Sequence, residues 1–273
     1  RLMVNLSNPD AALGDKRSTL AGGPHPFLTD AAVRRALSLA IDRGILTEVG
    51  YGAAGKPTCN VVPGPAIYVS TANDDCLVQD IAKANNILEA AGWKRGSDGV
   101  RSKDGVRLSI LYQTSTNAVR QDTQAFIKQW WSEIGVETEL KNISASVFFG
   151  GDQSSPDTYQ KHFSDIEMYT NIFSGTDPEA YMGSWVCSEH PTPENNWLGN
   201  NMPRYCNPEY DALVAELAGT ANINDRARIV ITLNDMLMQE GAMIPLIHRG
   251  RVSAFANTLG GVRQNTWDSE LWN

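Results

Sequence analysis

Residues 26–43 read PFLTDAAVRRALSLAIDR, and the spacing of their apolar side chains decides the first element of the fold. Val33, Ala36, Leu37, Ala40 and Ile41 recur at helical intervals on one face, while Arg34, Arg35 and Ser38 turn outward. Thr29 or Asp30 caps the start, since either side chain accepts from the free N–H groups of a first turn. The pattern predicts an amphipathic helix docked on a core. Taken alone, such a stripe predicts nothing more.

Outward from this helix the chain alternates between strands and helices. LMVNL at 2–6 reads as a short apolar strand, and a second helix is expected over 43–49. Residues 50–75 hold too many Pro, Gly and Asn residues for a long element and should wrap over the surface. Ile81, Ala84, Ile87, Leu88 and Ala91 fit a helix over 80–91 that Gly92 ends, with Trp93 packing back. A hairpin turn at 96–105 leads to a strand over 106–112, a helix over 117–134 and a strand over 136–140. A helical turn at 144–149 and a strand over 165–170 complete a β-α-β-α-β order, which predicts a sheet flanked by helices. The rest reads as mostly helical. Pro178 follows a Thr176 or Asp177 cap, Asn207-Pro208 repeats the signal, and Ile229, Leu233, Met236 and Leu237 form a stripe within 226–240. Closing strands are expected at 244–247 and 252–256.

The chain has 273 residues, 42% of them hydrophobic and 20% charged, with a formal net charge of −8. That balance supports a packed core. It disfavours a nucleic-acid partner, because no Lys/Arg stripe extends beyond Arg34-Arg35. No apolar run is long enough to cross a bilayer, so no membrane insertion of this chain is expected.

Four cysteines bracket two polar loops, TCNVVPGPAIYVSTANDDC and CSEHPTPENNWLGNNMPRYC. Four cysteines allow three pairings. Local bridges, Cys59–Cys76 and Cys187–Cys206, are favoured because each staples a segment with little hydrophobic content. Zinc is the rival reading, but no C-x-x-C spacing or adjacent histidine supports it. His25, His162, His190 and His248 are far apart and share no metal-ligand motif. Asp98 and Asp104 lack the alternating oxygen ligands of a calcium loop. No nucleophile elbow, Walker loop or dinucleotide fingerprint occurs, and Asp165 with Glu167 is a spacing common by chance. Neither enzymatic activity nor a metal or other cofactor is expected.

The order of residues in the opening stretch resembles the extracytoplasmic solute-binding proteins of peptide-type ABC transporters, the oligopeptide, dipeptide and nickel-binding group. The resemblance continues in order along the chain. It passes through Gly50-Tyr51-Gly52 and Gly55-Lys56-Pro57, then ANNILEAAGW at 84–93, Asp98-Gly99-Val100-Arg101 and Ile134-Gly135-Val136. Asp177-Pro178, NPEYD at 207–211 and Ile244-Pro245-Leu246 follow. The resemblance implies an α/β fold, one lobe of the type II periplasmic-binding-protein architecture, with a mixed sheet flanked by helices. In that family the helix signature lies just after the crossing into the second lobe. It therefore implies that residues 1–256 are the second, C-terminal ligand-binding lobe of a longer protein, with 257–273 an extension returning toward the first lobe. The signal peptide would belong to the part not present, and the location would be periplasmic or otherwise extracytoplasmic. The surface facing the other lobe would expose apolar side chains.

The same resemblance implies the function: the solute receptor of an ABC importer, closing two lobes around a peptide or similarly polar solute and delivering it to the permease subunits. A nickel or metal-chelate receptor, an opine or sugar receptor, and an extracytoplasmic chaperone or interaction domain are the alternatives. Lobes of this kind carry ligand contacts at the carboxyl ends of sheet strands. That directs attention to Tyr169, Asn171 and the following residues. In peptide-binding relatives an aspartate four positions before the matching proline pairs with the peptide ammonium; here that position is Ser174, which brings no charge. Asp177 is the substitute at hand, although a helix cap is its simpler role. A second candidate surface is the loop over 194–201, where Asn196 and Trp197 offer amide groups and a flat ring, joined by Trp185 and by Arg204 as a carboxylate or phosphate clamp.

Overall fold

The computed structural model of the chain describes residues 1–172, 175–250 and 252–262. The opening helix forms as Ala31–Leu39, and Asp30 is its cap: one carboxylate oxygen accepts from the Ala32 N–H at 2.9 Å. The other accepts from the Trp93 indole N–H at 3.0 Å, which brings the ring back as expected. Asp42 caps the next helix, Arg43–Tyr51, in the same way.

A five-stranded sheet runs in the order Glu137–Ile143, Ser109–Ser115, Ile166–Met168, Leu2–Val4, Met243–Ile244. The first three strands are parallel, and Leu2–Val4 runs against both of its neighbours. Helix Ala118–Glu133 makes the crossover between the two longest strands, capped by Asn117. Gly135 ends it with φ 81°, and a Cβ there would lie 2.8 Å from Arg101 Cγ, so glycine is required twice over.

Side chains alternate across this sheet and separate two cores. Leu2, Val4, Ile110, Tyr112 and Ile166 face the opening helix and Trp131, whose indole N–H donates to the Leu37 carbonyl at 3.0 Å. Met3 faces the other way, toward Phe148, Tyr169, Trp185 and helices Pro208–Gly219 and Ile223–Gln239. Both disulfides pair locally, Cys59 with Cys76 and Cys187 with Cys206.

Two expectations are corrected. The strand read over 106–112 is divided: Val106–Arg107 joins a small sheet with Lys94–Arg95 and Arg101–Lys103, and Ser109–Ser115 enters the main one. The division falls at Leu108, whose N–H donates back to the Arg101 carbonyl at 2.8 Å. At the C-terminal end, Ile247–Arg249 leaves the main sheet to pair with Gly55–Pro57, and 252–256 forms no strand. The helix start read at Pro178 is present as a four-residue helix, Glu179–Met182, with Asp177 accepting from the Glu179 N–H, and short turns tied by the second disulfide follow it. Of the expected extension, 257–262 has no regular structure and 263–273 lies outside the described residues.

Arg43 closes the opening stretch and is fully buried. Its guanidinium donates to the carbonyls of Ser38, Ile41, Cys76 and Pro245. Arg43→Ala should therefore destabilise the chain by at least about 3 kcal/mol in urea denaturation, because several buried carbonyls lose their donor. Arg43→Lys should recover only part of this, since an ammonium lacks the planar fork. Reduction should lower the melting temperature, each bridge being worth on the order of 3 kcal/mol; an unchanged value after verified reduction would refute a structural role for the bridges.

Candidate functional site

Thr114, Met168, Leu2 and Ile244 stand in one row across the sheet. The carboxyl ends of the parallel strands and the start of the first strand therefore open on a single edge. Aromatic rings line it. Phe149 lies 5.6 Å from Tyr159, Tyr159 lies 5.1 Å from Tyr169, and Tyr181 meets Trp185 edge-on at 4.8 Å. The Arg1 guanidinium sits among the last three, 5.8, 5.9 and 5.4 Å from the rings of Tyr169, Tyr181 and Trp185, and donates to the Tyr181 hydroxyl at 2.8 Å. Such contacts hold a cation without neutralising it.

Arg120 occupies the other end of the row. It donates to the hydroxyl of Ser115, the last residue of its strand, and lies 5.3 Å from the Phe149 ring. Arg249 packs over Tyr51 at 5.9 Å. The edge is also apolar and open: Phe149 is 44% and Ile172 77% exposed.

The candidates named from sequence are divided by the fold. Tyr169 and Trp185 meet at Arg1 on the carboxyl edge, both buried, and Asn171 is exposed beside them. Ser174 lies outside the described residues. Asn196, Trp197 and Arg204 are at the opposite end of the Ile166–Met168 strand. Trp197 packs edge-on against Phe163, which precedes that strand, at 5.5 Å, with Lys161 over its ring. Asn196 is exposed, and both it and Trp197 have left-handed backbone, held in the loop that the Cys187–Cys206 bridge closes. The expected clamp role of Arg204 needs correcting: it is buried and donates to the carbonyls of Ser18, Met202, Gln160 and Lys161, so it fastens loops together. Asp177 is engaged as well. Both of its oxygens accept from Arg226, and one accepts from the Glu179 N–H.

Arg1, Arg120, Phe149, Tyr159 and Arg249 escaped the sequence reading. The rule that strand ends carry contacts was applied only to the strand ending near Tyr169; applied to the 109–115 strand it would have led toward Arg120.

The histidines tie the frame. His25 donates to Asp165 at 2.8 Å and accepts from the N–H groups of Phe27 and Leu28, while His190 and His248 reach main-chain carbonyls. Among the described residues no His, Cys, Asp or Glu cluster could hold a metal ion. Glu167 does not form an acid pair with Asp165: it is buried on the Met3 side, with one oxygen accepting from Gln113 at 3.1 Å.

The model for bacterial extracellular solute-binding proteins, family 5 Middle, matches residues 2–192. The chain belongs to this family. Family 5 proteins are transport receptors rather than enzymes and are periplasmic or extracellular. Among curated relatives, Protein XP55 of Streptomyces lividans is 28% identical over 183 residues, covering 67% of this chain and 31% of the relative. The glutathione-binding protein GsiB of Escherichia coli K12 is 24% identical over 231 residues, covering 84% and 41%. Among solved structures, the oligopeptide-binding protein of Thermus thermophilus aligns with a TM-score of 0.74 at 20% identity, over 91% of this chain and 41% of that one. NikZ of Campylobacter jejuni aligns at 0.68 and 22% identity, over 91% and 44%. The family 5 chain thus spans about a third to two fifths of the curated relatives it matches.

Two buried groups of this family 5 chain set its response to pH. Burial pushes the Glu167 carboxyl well above the usual range, so the neutral form is kept in the fold. Stability from this group is full at acid pH and is lost as pH rises toward its folded value. Burial pulls His162 down to about 3, so its stability is full above the ordinary imidazole range and is lost as pH falls through the acid range. Glu167→Gln should accordingly gain stability over the parent at pH 8 and lose that advantage near pH 4, measured as urea midpoints.

Proposed function

We propose that this chain is a ligand-binding lobe of an ABC importer's solute receptor, which closes with a second lobe around a peptide or similarly polar solute and presents it to the permease subunits. The observation that carries this reading is the aromatic edge at the carboxyl ends of the parallel strands. It is a half-site: flat rings and cationic donors on one side, and open solvent where a second lobe would close. The exposed Phe149 and Ile172 on this edge, with Val252 and Phe255, suit burial against that lobe.

The names of relatives support a polar solute of peptide character, since one is glutathione-binding and another oligopeptide-binding. The ligand-facing candidates in this reading are Asn171 and, from the sequence, Ser174, with Arg1 and Arg120 beside them and buried Tyr169 and Trp185 supporting Arg1 from beneath. Asn196 and Trp197 would then serve a surface outside the cleft. NikZ was solved in complex with Ni(L-His), and a metal-chelate receptor, an opine or sugar receptor and a chaperone remain outcomes of the test.

Titration calorimetry on the intact protein with peptide, opine, sugar and metal-chelate libraries tests the reading. The intact protein should bind one class, and this chain alone should bind the same ligand at least about a hundredfold more weakly, because half the contacts are missing and closure cannot bury the solute. Equal affinity of the lobe and the intact protein would defeat the two-lobe mechanism. Failure of every solute would defeat the receptor reading.

A further inference from the structure

Among the described residues, the positive charge on the carboxyl edge has no carboxylate in ion-pair contact with it. The ring contacts form a connected path from Arg120 through Phe149, Tyr159 and Tyr169 to Arg1. Arg249 lies on Tyr51, within electrostatic reach of Arg120: burial is the main cause that lowers the Arg120 guanidinium from its ordinary value, and Arg249's charge adds to it. Among the described residues none of these three arginines has a carboxylate within ion-pair distance. Elsewhere Arg35, Arg101 and Arg228 each hold one, and Arg107 and Arg226 each hold two. Arg17, Arg34, Arg43 and Arg204 are occupied by main-chain carbonyls. Three uncompensated arginines on one edge are a strong asymmetry in a chain of net charge −8.

Two further donors at the same place have no partner. Arg1 Nε and Trp185 Nε1 are buried and unbonded, beside rings that donate no charge. The nearby carboxyl groups are already engaged or shielded: Asp177 and Glu179 are bridged by Arg226, and Glu167 is buried, which disfavours its charged form.

We infer that the solute read by this edge is an oxyanion carrying at least two acidic groups, carboxylate or phosphate, recognised by Arg1, Arg120 and Arg249, rather than a solute held by its ammonium group. The inference rests on the receptor reading and narrows its substrate class. Guanidinium forks match both carboxylate and phosphate oxygens, and the aromatic faces accommodate whatever flat or aliphatic body joins them.

The test is calorimetry on the intact protein and its Arg120→Gln and Arg249→Gln variants, with Glu-Glu, citrate and glucose 6-phosphate as acidic probes and Ala-Ala and Lys-Lys as controls. Arg228→Gln, on a remote exposed ion pair, is the control substitution, and circular dichroism melts check folding. Acidic probes should bind at least about tenfold more tightly than the controls, and each edge variant should lose about tenfold or more of that affinity, roughly one charge-assisted contact. Raising the ionic strength should weaken the parent more than the variants. Preference for Glu-Glu or citrate over glucose 6-phosphate assigns carboxylate, and the reverse assigns phosphate. Tight binding of Ala-Ala or Lys-Lys that survives both edge substitutions would leave the receptor reading intact and overturn this inference. Equal weakening of all probes, whatever their charge, would also overturn it, because the arginines would then be pairing with carboxylates in the rest of the protein. Absence of binding by every acidic probe would overturn this inference, while the receptor reading itself would fail only if the peptide, opine, sugar and metal-chelate libraries also gave no binding.

Discussion

The buried guanidinium of Arg43 is the constraint on which the first core depends. A charge removed from water must find acceptors, and Arg43 finds them on four separate carbonyls of the main chain. The carbonyls of Ser38 and Ile41 end the opening helix, that of Cys76 ends the first disulfide loop, and that of Pro245 follows the last strand of the main sheet. One side chain thereby fixes where a helix stops, where a surface loop docks and where the C-terminal end of the chain meets its beginning. The disulfide between Cys59 and Cys76 holds the same loop at its base. The segment it closes is also anchored by Val61, Val62 and Tyr68, which are buried in the second core, and by the Val61 N–H, which donates to Asn234.

The site follows from the sheet's strand order. Ser109–Ser115 lies between Glu137–Ile143 and Ile166–Met168, so the chain leaves it toward one neighbour and returns beside it to reach the other. That reversal opens the carboxyl ends toward solvent, with Arg120 on one flank and Tyr169 on the other. The antiparallel Leu2–Val4 strand adds its own beginning to the edge and delivers Arg1 among three rings. Family 5 membership accounts for this architecture. The distribution of charge on the edge is the feature that narrows the solute.

Local order was readable because its causes are local. Caps at Asp30, Asn117 and Asn207 act within three residues, and the glycines at 92 and 135 end helices by backbone freedom alone. The pairing of cysteines was readable for the same reason, since each bridge closes a short loop. The limits appeared where distant groups decide. The break at Leu108 comes from a hydrogen bond to the Arg101 strand, and 252–256, apolar enough for a strand, takes no regular structure.

The sequence by itself determined the helices, the alternation of strand and helix, the two disulfides and the family, because periodicity, capping chemistry and residue order operate over short spans. Only the tertiary structure decided which candidate side chains share a surface. Arg204 looked like a ligand clamp and proved to be an internal fastener, since an arginine's role depends on which acceptors surround it. Trp197 and Tyr169, read as two candidate surfaces, lie at opposite ends of a three-residue strand. Arg1 and Arg120, far apart in the sequence, come to one edge because the strand order of the main sheet, and not chain order, sets their neighbours, and Arg249 joins them from the separate pairing of Ile247–Arg249 with Gly55–Pro57.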